Sequence, residues 1–366
     1  VYASAVLAVA MVFLAYQVRS YHVTFAERGF FWIGDVHRDD AIGFSMRPDR
    51  DGFAVLAGGV DDAARRIPVR TDPNGFRIPR SEPAAPVRGG GVVAIGCSCT
   101  YGHGVAAESS YVYQAGQLLG LEPCNLGVCA YSSVTSLLLL ERHIERLQPR
   151  VVVYGFGNFH LERSAGPRAG ADLFQAYAVC DAAGCRIEPP VLDNRLVFAT
   201  EPAIERLYYA PRLAGDKVGW SVERVRTLLP LAGQSLRRTL HPAVLRLHFA
   251  PAALPDTVFC RFLLRRLYDD CRAHEAEFVL LWFPKELGDR PAPGLVAAAA
   301  ELGGLPGFTF VDCSPALFAG MGDPAAYAAR WQVPHDGHPN GRMHLEMARA
   351  IAAAIGPRLR SPPGAP

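Results

Sequence analysis

The sequence has almost no net charge: 37 Lys and Arg against 35 Asp and Glu over 366 residues leave +2. A nucleic-acid partner needs a concentrated basic surface, and this balance gives no electrostatic case for one. There is no internal repeat and no low-complexity tract; the 35 Gly and 29 Pro are spread along the chain as loop punctuation. No Gly-Lys-Ser or Gly-Lys-Thr follows the turn at 96–102, which argues against a phosphate loop. Charge is missing altogether from Val1 to Tyr16. A bilayer-spanning helix needs about 20 apolar residues, so this run is slightly short. Residues ahead of Val1 would complete a span or a signal-peptide core. We therefore expect residues 1–17 to form a transmembrane helix or signal anchor, with a buried core helix as the alternative. The expected location is membrane-anchored, with the remaining chain outside the cytoplasm.

Half of the chain is apolar, enough to bury a sizeable core. Nine cysteines cannot all pair within one chain. Cys180 and Cys185 bracket Asp-Ala-Ala-Gly and either close a small disulfide loop outside the cytoplasm or remain two thiols on a hairpin.

Residues 18–80 read as a small β-rich preface, with Asp72 to Gly75 as a turn between extended pieces. Residues 81–91 read as a linker. From 92 to 357 the pattern alternates. Short apolar runs at 92–96, 123–127, 151–156, 278–283 and 308–312 read as strands. Helical periodicity falls at 108–120, 132–147, 256–274, 293–303 and 341–355. This predicts an α/β fold: a three-layer α/β/α sandwich around a parallel sheet of about five strands. Residues 160–255 interrupt the alternation as an insertion, and 358–366 form a tail.

Four polar segments lie where chemistry gathers in such sheets. Gly96 to Gly102 (Gly-Cys-Ser-Cys-Thr-Tyr-Gly) puts Ser98 at a strand-to-helix turn, which exposes its hydroxyl; read alone, the segment is more simply a glycine-rich turn with capping hydroxyls. Asn125 to Ser132 and Gly155 to His160 follow the next two strands. Asn158 can aim its amide at an oxyanion or serve as a turn residue. His335-Asp336-Gly337-His338-Pro339-Asn340 places carboxylate beside imidazole before the last helix, suiting a base and its orienting partner. His-x-x-His also permits a metal, but Cys97-x-Cys99 is spaced poorly for a shared zinc site with His335 and His338.

Together these segments resemble the four blocks of the SGNH/GDSL hydrolase family, over residues 92–160 and 275–355. The resemblance implies a flavodoxin-like SGNH fold and a serine hydrolase acting on acyl esters, with no cofactor and no metal. It implies Ser98 as nucleophile, His338 as base and Asp336 as its partner, with an oxyanion hole from Ser98 N–H, Ala130 N–H and the Asn158 side chain. The substrate class is an acyl ester, such as a lipid or an acetylated glycan. Alternatives are an O-acyltransferase acting on a glycan and a non-catalytic, membrane-tethered binding module that keeps the pocket. The sequence departs from the family pattern at four places. Cys97 and Phe159 stand where aspartates are usual, Ala130 stands at a glycine, and one residue instead of two separates Asp336 from His338. Members of a related bacterial set share Gly-Cys-Ser and a His-x-x-Arg matching His160 and Arg163. Cys97, His160, Arg163 and His335 are therefore further candidates for substrate contact or support. An oxyanion N–H at Ala130 is expected with φ negative.

Overall fold

The computed structural model describes residues 36–55, 66–83, 85–87, 89–169, 173–181, 184–191, 194, 254–334 and 336–360. The helix expected over 1–17 lies outside these residues, as does His335. Among the described residues no helix is long and apolar enough to cross a membrane.

The chain opens with β1 (Val36–Asp39) and β2 (Gly43–Met46), an antiparallel ribbon, followed by β3 (Asp51–Val55), β4 (Arg66–Thr71) and β5 (Arg77–Ile78). Asp72 builds the expected turn: its carboxylate accepts the N–H of Asn74 at 2.9 Å and of Phe76 at 2.8 Å, and Gly75 takes the left-handed φ of 82°. The alternating part starts at β6 (Val92–Gly96) and a one-turn helix α1 (Ser98–Tyr101). It continues through α2 (Tyr111–Leu119), β7 (Pro123–Gly127), α3 (Ser133–Leu147), β8 (Val151–Phe156) and α4 (Phe159–Ser164). Two small antiparallel pairs follow: β9 (Arg168–Ala169) with β10 (Leu173–Phe174), and β11 (Tyr177–Asp181) with β12 (Gly184–Glu188). A disulfide joins Cys180 to Cys185 across the second pair. The last part holds α5 (Asp256–Ala273), β13 (Glu277–Trp282), α6 (Pro293–Leu302), β14 (Phe308–Asp312), α7 (Ser314–Phe318), α8 (Pro324–Trp331) and α9 (Gly341–Arg360).

The central sheet runs β14-β13-β8-β6-β7-β5-β4-β3. Its five parallel strands, numbered among themselves, stand in the order 2-1-3-4-5 of a doubly wound, flavodoxin-like sheet. All residues of β6 and β8 are buried, as uninterrupted apolar runs covered on both faces should be. Alternate side chains serve two separate cores. Val93, Ile95, Val152, Tyr154 and Trp282 meet α3, α5 and α6 on one face. Val92, Ala94, Val153 and Leu281 meet α2, α8 and α9 on the other. The expected three-layer sandwich is present.

Among the described residues the sheet has eight strands: the five parallel ones expected and three antiparallel ones that were not. The preface is no separate unit: β3, β4 and β5 extend the sheet antiparallel beyond β7, through the Arg77–Asn125 pairing. β7 would otherwise expose a row of unpaired backbone groups, and β5 covers it. In α3, Val134, Leu137 and Ile144 are buried as the periodicity predicts, while Leu138 is only partly buried. Ser132 and Thr135 cap the helix reciprocally.

Candidate active site

Three glycines create the space for the turn that carries Ser98. The strand register sets Gly96 beside Gly127 on one side and Gly155 on the other. A Cβ at Gly96 would lie 2.2 Å from Thr100 Oγ1, at Gly127 2.2 Å from Tyr101 N, and at Gly155 2.5 Å from Thr100 Oγ1. Helix α1 therefore rests directly on the strand ends, and Ser98 leads it with no side-chain cap on its first turn. Such uncapped N–H groups are donors for an anion.

Arg77 clamps this turn from the preface. Its guanidinium is buried and donates to the carbonyls of Tyr101, Gly102 and Val105, each at 2.6 Å. The Asn125 side chain adds a bond to Thr100 O at 3.0 Å. Arg77→Met should destabilise the fold by on the order of 3 kcal/mol in urea denaturation, because it leaves several buried carbonyls without donors.

The opposite wall comes from the segment before α9. Val333 closes a loop around Asp336 and His338: its N–H donates to His338 O at 2.8 Å and its carbonyl accepts from Asp336 N at 3.2 Å. Gly337 allows the tight turn at φ 81°. Asn340 fixes the start of α9 by accepting the N–H groups of Arg342 (3.0 Å) and Met343 (3.2 Å). His338 is thereby held over the strand ends, with Nε2 2.8 Å from Ser98 Oγ. Its Nδ1 is hydrogen-bonded to Asp336 Oδ1.

Burial pushes the Asp336 carboxyl up, but His103 and His338 outweigh it and hold it well below the usual carboxylate range. The carboxylate is therefore ionised and can only accept, so Nδ1 of His338 carries the proton and Nε2 is free to accept from Ser98. His103 was missed by the sequence reading as a partner of this group. Its Nε2 lies 3.4 Å from Asp336 Oδ2, and its ring meets that of His338 edge-on at 4.6 Å. Burial, opposed by Asp336, lowers its pKa to about 4, which keeps it neutral near pH 7. The backbone N–H of His103 also donates to Ser98 O at 2.9 Å. The only local signal was its place just past α1. His103, Asp336 and His338 also have ligand atoms close enough to hold a metal ion.

The other candidates are placed as follows. Cys97 is fully buried; burial pushes its thiol up, while Cys99, His160 and Arg163 outweigh that and hold it low. Cys99 lines the cleft beside Ser98, and the Cys97 contact with burial keeps it a thiol, well above its ordinary value. His160 is fully buried against the rings of Phe156 and Phe159, with Nδ1 3.0 Å from the Gly157 backbone. Two expectations need correction. Ala130 adopts φ 65° rather than a negative value, because it sits third in a turn closed by Tyr131 N–H to Val128 O at 3.2 Å. Glycine is favoured at that position. The Asn158 carboxamide is not aimed at Ser98: it donates to Arg290 O at 2.7 Å, accepts from Ala292 N at 3.1 Å, and lines an adjoining cavity.

A cleft of about 160 Å³ opens over Ser98 and His338. Phe159, Phe283, Pro284 and Met343 give it apolar walls; Arg163, Lys285 and Gln332 give it polar ones.

Stability should depend on pH through buried imidazoles. Burial, the first cause in each case, lowers His103 and His143 to about 4 and His344 to about 3. The unfolded chain takes up these protons near pH 6.5 and the folded chain refuses them, so stability falls as pH drops from about 6.5 toward 4. Asp270, raised to about 6 by burial, acts in the opposite direction. The urea midpoint should be lower at pH 5 than at pH 7.

No family model matches the chain, and no curated protein matches it. Solved structures align with it at low identity and low TM-score. One, described as a lipolytic protein of the G-D-S-L family from Desulfitobacterium hafniense, is 12% identical with a TM-score of 0.38; the match covers 72% of this chain and 97% of that one. An acetylxylan esterase from Geobacillus stearothermophilus is 15% identical at a TM-score of 0.34, covering 74% and 96%. A carbohydrate esterase family 2 enzyme with a carbohydrate-binding domain, from Corynascus thermopiles (Myceliophthora fergusii), is 15% identical at 0.36, covering 80% and 76%. The chemistry of the site rests on its own geometry.

Proposed function

We propose that this chain is a serine esterase of the SGNH type that cleaves small acyl esters. The observation carrying this reading is the continuous relay from Ser98 Oγ through His338 to an ionised Asp336, at the floor of an accessible cleft. His338 Nε2 takes the Ser98 proton as the oxygen attacks the ester carbonyl, and Asp336 stabilises the imidazolium that forms. The N–H groups of Ser98 and Ala130 hold the oxyanion; Asn158 would first have to leave Arg290 and Ala292. His338 then protonates the leaving alcohol, and water, activated by the same imidazole, releases the acyl group. A sugar hydroxyl in place of water would make the site an O-acyltransferase.

A non-catalytic binding module is the weaker reading, because it gives no reason for the Ser98–His338 alignment. The Cys180–Cys185 disulfide supports an oxidising, extracytoplasmic compartment. An anchor at residues 1–16 belongs to this proposal and would keep full-length protein in the membrane fraction through alkaline carbonate extraction. The cleft volume favours short acyl chains. Purified protein should therefore hydrolyse p-nitrophenyl acetate and butyrate in preference to the palmitate ester. Absence of turnover on all three, with folding verified, would count against esterase chemistry.

A further inference from the structure

We infer that the cleft selects acyl esters bearing an anionic group, a carboxylate or a phosphate, close to the scissile bond, with Arg163 and Lys285 as its receptors. The inference rests on the esterase reading and adds a substrate class to it.

Three charged residues line the cleft over Ser98: Arg163, Lys285 and Asp336. Asp336 offers little to a ligand. Its side chain is 7% exposed, and its two oxygens face His338 and His103. The field a substrate meets is that of two cations. Neither forms an ion pair with a carboxylate among the described residues. The acids nearby, Glu162, Glu286 and Asp289, do not line this cleft; they line an adjoining cavity that Lys285, Phe159 and Phe283 also border. Asp289 is moreover committed to the backbone N–H groups of Lys285 and Glu286, each at 2.9 Å.

Both cations are held ready. The Arg163 guanidinium stacks over the Phe159 ring at 4.7 Å, and its one hydrogen bond among the described residues is a long 3.5 Å contact to Tyr131 O. Most of its donors remain for a ligand, in the planar fork that matches carboxylate and phosphate oxygens. Lys285 is exposed, but its backbone is fixed on both sides, by Asp289 and by Gln332 Nε2 donating to its carbonyl at 2.6 Å. Lys285 therefore borders the cleft from a rigid root. The neighbouring Phe159, Phe283 and Pro284 lower the local dielectric and strengthen attraction for an anion. A neutral ester fills the same apolar walls but pairs with neither cation.

The test compares 3-acetoxybenzoate, 3-acetoxyphenyl phosphate and the near-isosteric neutral 3-acetoxybenzamide, each corrected for its alkaline hydrolysis rate. At low ionic strength at least one anionic ester should exceed the amide in kcat/KM by about tenfold, as two partly exposed ion pairs would give. Which anion gains more identifies the carboxylate or the phosphate as the fitting group. The preference should shrink in 1 M NaCl and fall toward unity in an R163Q/K285Q variant. Because Arg163 also packs on Phe159, Lys285→Gln alone provides a second reading: its side chain is exposed, and the preference should drop about threefold. Equal turnover of all three esters, or a preference unchanged by both variants, would overturn the inference while leaving the esterase reading intact. Hydrolysis of none of them would overturn both.

Discussion

His338→Ala should lower ester hydrolysis on the order of 10⁴-fold, the scale at which triads lose a member. Among the described residues the imidazole is the only group within hydrogen-bond reach of Ser98 Oγ that can take its proton, at 2.8 Å, and without it the hydroxyl is a poor nucleophile at neutral pH. The loss should appear in kcat, since the deleted ring acts on the reacting proton. His160→Ala should cost far less rate: that ring is sealed against Phe156 and Phe159 and does not line the cleft. His103→Ala should fall between the two, because it removes one partner of Asp336 and leaves the Ser98–His338 contact in place. Steady-state kinetics on p-nitrophenyl acetate separate the three. Near-native turnover by His338→Ala would move the base elsewhere.

Ser98→Ala should have the larger effect, leaving only the binding and oxyanion contribution to rate, with the urea midpoint close to that of the native chain. Ser98 is 7% exposed and small, so its hydroxyl contributes little packing. Cys97 and Cys99 flank it and are the natural substitutes for a lost nucleophile. Cys97 is shut away from the cleft, and Cys99 is held as a thiol, the unreactive form. Residual turnover should therefore be insensitive to iodoacetamide.

The layers of the fold were legible because each parallel strand is an apolar run with turn residues behind it. The runs at 92–96 and 151–156 coincide with β6 and β8. The joining of β3, β4 and β5 to that sheet was not legible. Strand patterns declare an edge but not its neighbour, and the link is a single pairing between Arg77 and Asn125. The short helices α4, α7 and α8 were missed as well, being too brief for a periodic signal.

In the site, Ser98, Asp336 and His338 could be singled out because each sits in a local polar motif beside a strand end or helix start. The structure brings these three together. His103 had no such motif: its contact with Asp336 is made only by folding, across more than half the chain. Ala130 and Asn158 show the limit of position-by-position reading. The family resemblance suggested a backbone donor at Ala130 and residue type a side-chain donor at Asn158, but the left-handed backbone at the first and the loop at 290–292 that engages the second are tertiary facts.

The most direct test of the central claim is covalent labelling with a fluorophosphonate, read by peptide mass mapping of the intact chain. A single adduct on Ser98 is expected, absent in Ser98→Ala and strongly slowed in His338→Ala. An adduct elsewhere, or no adduct on folded protein, would contradict an activated serine at this position.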